Sequence, residues 1–242
     1  MVVVIISITL PVFNEAKILK RNVEKLICFL NELNLNYEII IAEDGSTDNS
    51  YKIASELEKR NKKVHCLHSD KRLGKGEAIK RAFEHSKGSI FVFMDADLST
   101  DLSYTPKLIS KIHDGYDIVV GSRTLKYSKV ERSLKREMVS RVYNLLCRFL
   151  FGIKLHDMQC GFKCLKKDSI KNIIKEVKNK HWFWDTELIV RATKKDMKIT
   201  EIPIKWKQKN RTKVKILRDS LYMIKCILEL WYELETKNNL ST

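Results

Sequence analysis

Glycine and proline are scarce in this chain, with 8 and 3 residues among 242. So few leave little room for flexible linkers, and no internal repeat or low-complexity segment is visible. No stretch offers about 18 uncharged residues in a row, so no transmembrane helix is expected. The opening Met1-Val2-Val3-Val4-Ile5-Ile6 lacks both a basic leader and a small-residue cleavage site, so it does not read as a signal peptide. The cysteines Cys28, Cys66, Cys147, Cys160, Cys164 and Cys226 form no C-x-x-C pair, which argues against a zinc ribbon or a thioredoxin-type centre. Cys160 and Cys164 have weak metal-ligand spacing without a partner pair, and the better reading is buried, reduced thiols of an intracellular protein. Acidic residues are the scarcer charge, 30 against 46 Lys plus Arg, for a net charge of +16. That excess implies an anionic partner: nucleic acid, an acidic membrane or a phosphorylated substrate.

What is present reads as globular, with 44% hydrophobic and 31% charged residues. Val2 to Leu10 is a continuous β-branched apolar run, the pattern of a strand buried on both faces. Residues 17–34 set Leu19, Val23, Leu26, Leu30 and Leu33 at helical spacing. Strands are expected over Tyr37–Ala42, Val64–Leu67, Ser89–Met94 and Asp117–Gly121, with helices over Asp48–Arg60, Gly76–Ser86 and 103–114 between them. Such alternation predicts an α/β fold with a mostly parallel central sheet flanked by helices, and ligands at the carboxyl ends of its strands. Residues 124–135 read as a mobile charged loop, 136–151 as a basic amphipathic helix and 156–163 as a polar turn holding Gly161. A helix near 185–196, a strand near 198–206 and a long helix over 215–236 complete the pattern. A nucleotide-binding half over 1–123 and an acceptor-side half over 124–242, ending in amphipathic helices, follow from that division within one continuous domain.

Acidic groups stand where three strands are expected to finish: Glu15, Asp44, and Asp95 with Asp97. Carboxylates can accept from a nucleotide's base and ribose, but they repel its diphosphate unless a cation intervenes. Asp-x-Asp on an extended segment sets both side chains on one side, where oxygen ligands can grip a hard divalent ion. Arg136 and Ser140 are four apart and Asn144 continues their helix face. A guanidinium beside a hydroxyl suits phosphate, whereas a solvated basic helix would carry the same charge.

Leu10-Pro11-Val12-Phe13-Asn14-Glu15, Ala42-Glu43-Asp44-Gly45-Ser46-Thr47-Asp48 and Met94-Asp95-Ala96-Asp97-Leu98 resemble the signatures of family-two glycosyltransferases with the GT-A nucleotide-binding fold. The resemblance implies that Pro11, Phe13, Glu15, Asp44, Asp95 and Ala96 line the donor nucleotide, with Asp95 and Asp97 holding Mg2+ or Mn2+. Leu73–Ala78 looks like the family's glycine-bearing turn and lacks the Walker A pattern, so it reads as a structural turn with Lys75 near phosphate. In the second half, Arg136-x-x-x-Ser140-x-x-x-Asn144 and Asp157–Lys163 resemble polyprenyl-phosphate hexosyltransferases. Gln159-Cys160-Gly161-Phe162-Lys163 followed by Trp182–Leu188 looks more like the dolichyl-phosphate β-glucosyltransferases than the mannosyl members. By that resemblance Arg123, Arg136, Ser140 and Asp97 act on the reacting groups, with Arg211 near the diphosphate. The implied reaction moves glucose or mannose from UDP-glucose or GDP-mannose onto dolichyl or polyprenyl phosphate. A phosphomonoester is largely dianionic at neutral pH, its second pKa being about 6. It is thus already a nucleophile, and direct attack inverts the anomeric carbon.

A lipid-linked acceptor implies a peripheral protein at the cytoplasmic face of an anionic membrane. The helix at 136–151 is expected to contact membrane or acceptor. The final helix, with Leu217, Leu221, Ile224, Leu228 and Trp231 at alternating four and three spacing, is expected to face the core or a second subunit instead. Two other readings keep a place. A transferase acting on a sugar hydroxyl would need a general base, for which Asp157, Asp185 and Glu187 are the visible candidates. A basic nucleic-acid-binding protein would explain the charge, but not carboxylates gathered at strand ends, so no nucleic-acid partner is expected.

Overall fold

The apolar run that opens the chain becomes β1 (Ile6–Val12) in the computed structural model. The structure describes residues 5–209 and 216–239. Val2–Val4 of the expected first strand, and Arg211, lie outside the described residues. After β1 come α1 (Ala16–Glu32), β2 (Tyr37–Glu43), α2 (Ser50–Arg60), β3 (Val64–Leu67), α3 (Lys75–His85), β4 (Ile90–Met94), a 3-10 turn (Leu102–Tyr104), α4 (Thr105–His113) and β5 (Ile118–Ser122). The second half supplies β6 (Lys129–Glu131), α5 (Leu134–Phe151), β7 (Phe162–Lys166), α6 (Lys167–Glu176), α7 (Trp184–Lys194), β8 (Ile199–Pro203), β9 (Lys205–Lys207) and α8 (Ile216–Asn239).

Seven strands form one sheet in the order β3-β2-β1-β4-β7-β5-β8, every neighbouring pair parallel except those that β7 makes with β4 and β5. β1, β2, β4 and β5 are buried almost throughout, which is why their sequences are unbroken apolar runs rather than alternating ones. α1 covers its side of the sheet with Leu19, Val23, Leu26 and Leu30, all fully buried at helical spacing. Strand order runs outward from β1 to β3 on one side and from β4 on the other. The carboxyl ends of β1 and β4 therefore flank the crevice where order reverses, the place where such sheets bind ligands.

Three expectations need correction. The polar turn foreseen at 156–163 ends inside the sheet, because β7 begins at Phe162 and inserts antiparallel between β4 and β5. Lys163 hid this strand. It looks solvated in sequence but is fully buried, its charge matched by Asp185, a residue too distant along the chain to be read as its partner. The charged segment 124–135 is not structureless, since β6 lies within it and pairs in parallel with β9. The single strand expected at 198–206 breaks at buried Ile204 into β8 and β9, the second of which leaves the main sheet for that small ribbon. Helix α6 was not foreseen.

The final helix also turns the other way. α8 buries Met223, Cys226, Ile227 and Leu230, and leaves Leu221, Ile224, Leu228 and Trp231 exposed. The helix carries two adjacent apolar stripes, and the core takes the one that sequence spacing did not single out. α8 packs on α5, whose Met138, Val142, Leu145 and Phe149 are likewise exposed. Phe149 is 83% and Leu221 69% accessible, so the two helices present apolar side chains to the outside.

Candidate active-site cleft

Asn14 adopts a left-handed conformation (φ 54°) just after β1, and its side chain and amide are held by Thr47 and Ser46. Glu15 N donates to Ser50 Oγ at 2.8 Å and Ala16 N to Asp48 Oδ2 at 3.1 Å. The Ser-Thr-Asp run after β2 thus satisfies amides at the start of α1 that no helical carbonyl can reach. This fastening sets Pro11, Phe13 and Glu15 along one wall of the cleft. The guanidinium of Arg72 lies 4.0 Å from the centre of the Phe13 ring, a stacked wall that the sequence did not suggest.

Asp44 lines the same cleft, and its carboxylate accepts the amides of Leu73 (2.6 Å) and Gly74 (2.9 Å). It therefore secures the glycine-bearing turn. Burial pushes its carboxyl above the ordinary value, more strongly than those amides and Arg72 pull it down. Gly74 has φ 112°, and a Cβ there would sit 2.3 Å from the Lys180 carbonyl, so only glycine fits. The turn delivers Lys75, whose Nζ donates to Asp95 at 2.8 Å and lies 4.0 Å from Asp185. Asp185 in turn holds Lys163, which also donates to the Cys160 carbonyl at 2.6 Å. Acid and base alternate along this chain, Asp95–Lys75–Asp185–Lys163.

Asp95 and Asp97 are brought together by a turn instead of the extended segment expected. Leu98 N closes onto the Asp95 carbonyl at 3.0 Å, with Leu98 itself at φ 50°. Gly161 presses against this turn so closely that a Cβ would meet the Asp95 carboxylate at 2.4 Å. Asp97 accepts the amide (2.9 Å) and hydroxyl (2.6 Å) of Ser99. Burial, then the neighbouring Asp95 charge, push the Asp97 carboxyl up. Among the described residues no group of three or more His, Cys, Asp or Glu is arranged to hold a metal ion. Two neighbouring hard oxygen donors are what an ion such as Mg2+ or Mn2+ takes when substrate phosphates and water complete its shell. The donor set fits such an ion.

On the far side of the cleft Arg123 is gripped by Asp157, through Nε (2.7 Å), a terminal nitrogen (2.8 Å) and its own amide (2.9 Å). Asp157 is fully buried; burial alone would raise its carboxyl, but the Arg123 charge and hydrogen bonds outweigh that and hold it below the usual range. Arg123 also lies 5.6 Å from the Trp206 ring. Arg136 and Ser140 of α5 line the cleft, with Ser140 buried. Asn144 does not reach that wall. Its amide donates to the Ser140 carbonyl and its oxygen accepts from Met158 N, tying α5 to the segment before β7. Glu187 accepts from Lys178 N, Asn179 N and Arg191 Nε. Each acid considered as a general base is thus buried and committed to a cation.

Pro11, Phe13, Glu15, Asp44, Asp95, Ala96, Asp97, Arg123, Arg136 and Ser140 all line one cleft of about 810 Å3. Sequence reasoning missed Arg72, Arg132, Trp206 and Gln208 on its walls, and saw Lys75 only as a neighbour of phosphate. Beyond the arginines, Met138, Val139, Val142 and Leu146 of α5 and Met223 and Ile224 of α8 form an apolar mouth. Of the cysteines, Cys28 is exposed and Cys66 half-buried, while the other four are buried, and all six are free thiols.

Fold and cleft together define a nucleotide-sugar-dependent glycosyltransferase. The chain belongs to Glycosyl transferase family 2, whose profile matches residues 7–174. It is 38% identical over 237 residues to glycosyltransferase AglD of Haloferax volcanii, covering 96% of this chain and 38% of that protein. It is 31% identical over 243 residues to the dolichyl-phosphate beta-glucosyltransferase of Saccharomyces cerevisiae, covering 92% of this chain and 72% of that one. Similarity to dolichyl-phosphate beta-glucosyltransferase ALG5D of Trichomonas vaginalis is 32% over 227 residues, with 88% and 69% covered. Among solved structures, glucosyl-3-phosphoglycerate synthase of Mycobacterium tuberculosis with Mn2+, UDP and phosphoglyceric acid superposes with a TM-score of 0.73 at 18% identity, over 94% of this chain and 78% of that one. That likeness shows the shared GT-A fold.

Proposed function

We propose that this protein transfers glucose from UDP-glucose to a dolichyl-type polyprenyl phosphate, with inversion, as a peripheral protein at the cytoplasmic face of an anionic membrane. One observation carries the reading: a single cleft runs from carboxylates at strand ends, past arginines, to an apolar mouth between α5 and α8. A substrate pair with a polar nucleotide at one end and a lipid phosphate at the other has that sequence of chemistries. The names of the Saccharomyces and Trichomonas relatives favour glucose over mannose.

In this reading residues 1–123 take the donor and 124–242 the acceptor. Pro11, Phe13, Glu15, Asp44 and Ala96 line the nucleoside and its ribose, and Arg211 adds charge near the diphosphate. Asp95 and Asp97 would hold a divalent cation, Mg2+ or Mn2+, which supplies positive charge against the diphosphate. Arg123, Arg136 and Ser140 orient the acceptor phosphate and offset its repulsion from the donor. An acceptor phosphate oxygen attacks C1 of the hexose; the new C1–O bond forms as the bond to the diphosphate breaks, and the nucleoside diphosphate departs with the electron pair. No proton needs removing from a phosphate dianion. That accords with a cleft whose candidate bases Asp157, Asp185 and Glu187 are all paired, and it disfavours a sugar-hydroxyl acceptor. Exposed apolar residues of α5 and α8, on helices that also carry exposed Lys135, Arg141, Arg148, Arg218 and Lys225, suit shallow insertion into an anionic bilayer. No helix among the described residues is long and apolar enough to cross a membrane.

The test incubates purified protein with Mn2+ or Mg2+, polyprenyl phosphate and a panel of UDP- and GDP-hexoses, then extracts the lipid. A β-linked glucosyl lipid formed from UDP-glucose is expected, and Asp97→Ala should lower its yield by about a thousandfold while the protein keeps its melting temperature. Transfer to a soluble sugar with none to the lipid phosphate would reject the acceptor.

A further inference from the structure

The arginines of the cleft are not electrically equivalent. Arg123 spends its fork on Asp157, so that pair carries little net charge toward a ligand. Arg132, just past β6, lines the same cleft, and its Nε is buried without a hydrogen-bond partner among the described residues. The Oε1 of Gln208, just past β9, is also buried and unbonded, and the two residues sit at one end of the β6–β9 ribbon, where Gln208 N donates to the Glu131 carbonyl at 2.8 Å. Orphaned buried donors are rare in folded proteins, and one on a cleft wall marks where an acceptor group of a ligand belongs. Burial, then the nearby Arg123 charge, pull the Arg132 guanidinium below its ordinary pKa, more strongly than the Asp157 and Glu137 charges raise it.

We infer that Arg132 is a further phosphate-binding residue of the acceptor subsite, giving its unbonded Nε to a phosphomonoester that Arg123 and Arg136 also face. This rests on the acceptor assigned above and adds to it a further cation that meets the phosphate. Three consequences separate Arg132 from a structural arginine. Its removal weakens the phosphate ligand and spares the nucleotide. Lysine, which keeps charge but loses the fork, restores part of the loss. The fold is indifferent, since an unpaired group stabilises little.

Binding of farnesyl phosphate, inorganic phosphate and UDP would be measured by calorimetry on the wild-type protein, Arg132→Gln and Arg132→Lys, with melting temperatures alongside. Arg132→Gln should weaken farnesyl phosphate by about tenfold or more, as expected for a lost charge-assisted bond, with UDP affinity and melting temperature unchanged and Arg132→Lys intermediate. Unchanged farnesyl phosphate binding in Arg132→Gln overturns the inference, as does a loss confined to UDP. Should the wild-type protein bind inorganic phosphate through Arg132 yet ignore farnesyl phosphate, the phosphate site stands and the lipid acceptor falls.

Discussion

The two ends of the cleft are short of opposite charges. At the donor end Asp44 and Asp97 are crowded acids whose burial outweighs the bonds they receive, so their carboxyls titrate high. At the acceptor end Asp157 is deeper still, but two strong bonds from the Arg123 side chain hold its carboxyl low, and the unbonded group there is a guanidinium nitrogen of Arg132. Burial is common to both ends; what differs is whether a fixed partner answers it. An end whose acids are pushed up by burial despite their partners suits an added cation, and an end with an unbonded guanidinium nitrogen suits an anion. The difference also has a sign in pH. Carboxyls raised on folding favour the native state at low pH and lose that contribution as pH rises through their folded values. Asp157, lowered on folding, contributes above its unfolded pKa of about 3.9 and loses that contribution as pH falls through its folded value.

The largest expected effect comes from breaking the satisfied acid. Asp157→Ala leaves Arg123, whose side chain is 14% exposed, as a largely buried unpaired charge. Removing one partner of such a pair costs about 3–5 kcal/mol. Urea unfolding should show that loss at pH 7, and the variant should lack the part of the wild-type fall in stability that lies below about pH 4. A variant as stable as wild type would mean that Arg123 finds water or another anion at once, and that the two ends are less different than their geometry implies.

Much of the donor end is legible in sequence because each of its parts is local. A buried parallel strand announces itself as an apolar run, and a polar signature at its end needs no knowledge of other segments. The acceptor end is assembled from pieces far apart: Arg123 with Asp157, Lys163 with Asp185, Glu131 with Gln208. Lys163 reads as a surface residue until its partner is known, so in the sequence the start of β7 reads as a turn. The same blindness applied to Gly161, which reads as an ordinary turn glycine but lies against the Asp95 carboxylate. A Cβ there would sit 2.4 Å from the carboxylate, so Gly161→Ala must displace Asp95 by an appreciable fraction of an ångström. Misplacement on the scale of 1 Å can cost about a hundredfold in rate. Gly161→Ala should therefore lower kcat roughly a hundredfold, with a smaller change in melting temperature than Asp157→Ala gives. Equal falls in activity and stability would make Gly161 a folding residue and not a setting for the donor end.

The smallest effect concerns the surface beyond the acceptor end, where sequence spacing led to the wrong face of α8. Leu221, Ile224, Leu228 and Trp231 are exposed, as are Met138, Val142, Leu145 and Phe149 of α5. If both helices touch the bilayer, Leu145→Glu with Phe149→Glu and, separately, Leu221→Glu with Leu228→Glu should each reduce co-sedimentation with anionic liposomes by about tenfold. Neither pair should alter the melting temperature, because these side chains are exposed. Basic residues near an anionic surface are each worth about 1 kcal/mol, so wild-type binding should weaken with added salt and be poor on neutral liposomes. Wild-type behaviour of the α8 pair alone would confine the contact to α5 and return the outer stripe of α8 to a protein partner. Loss in both would mean that the helix pair meets the membrane as one surface, with the apolar mouth of the cleft opening between its two members.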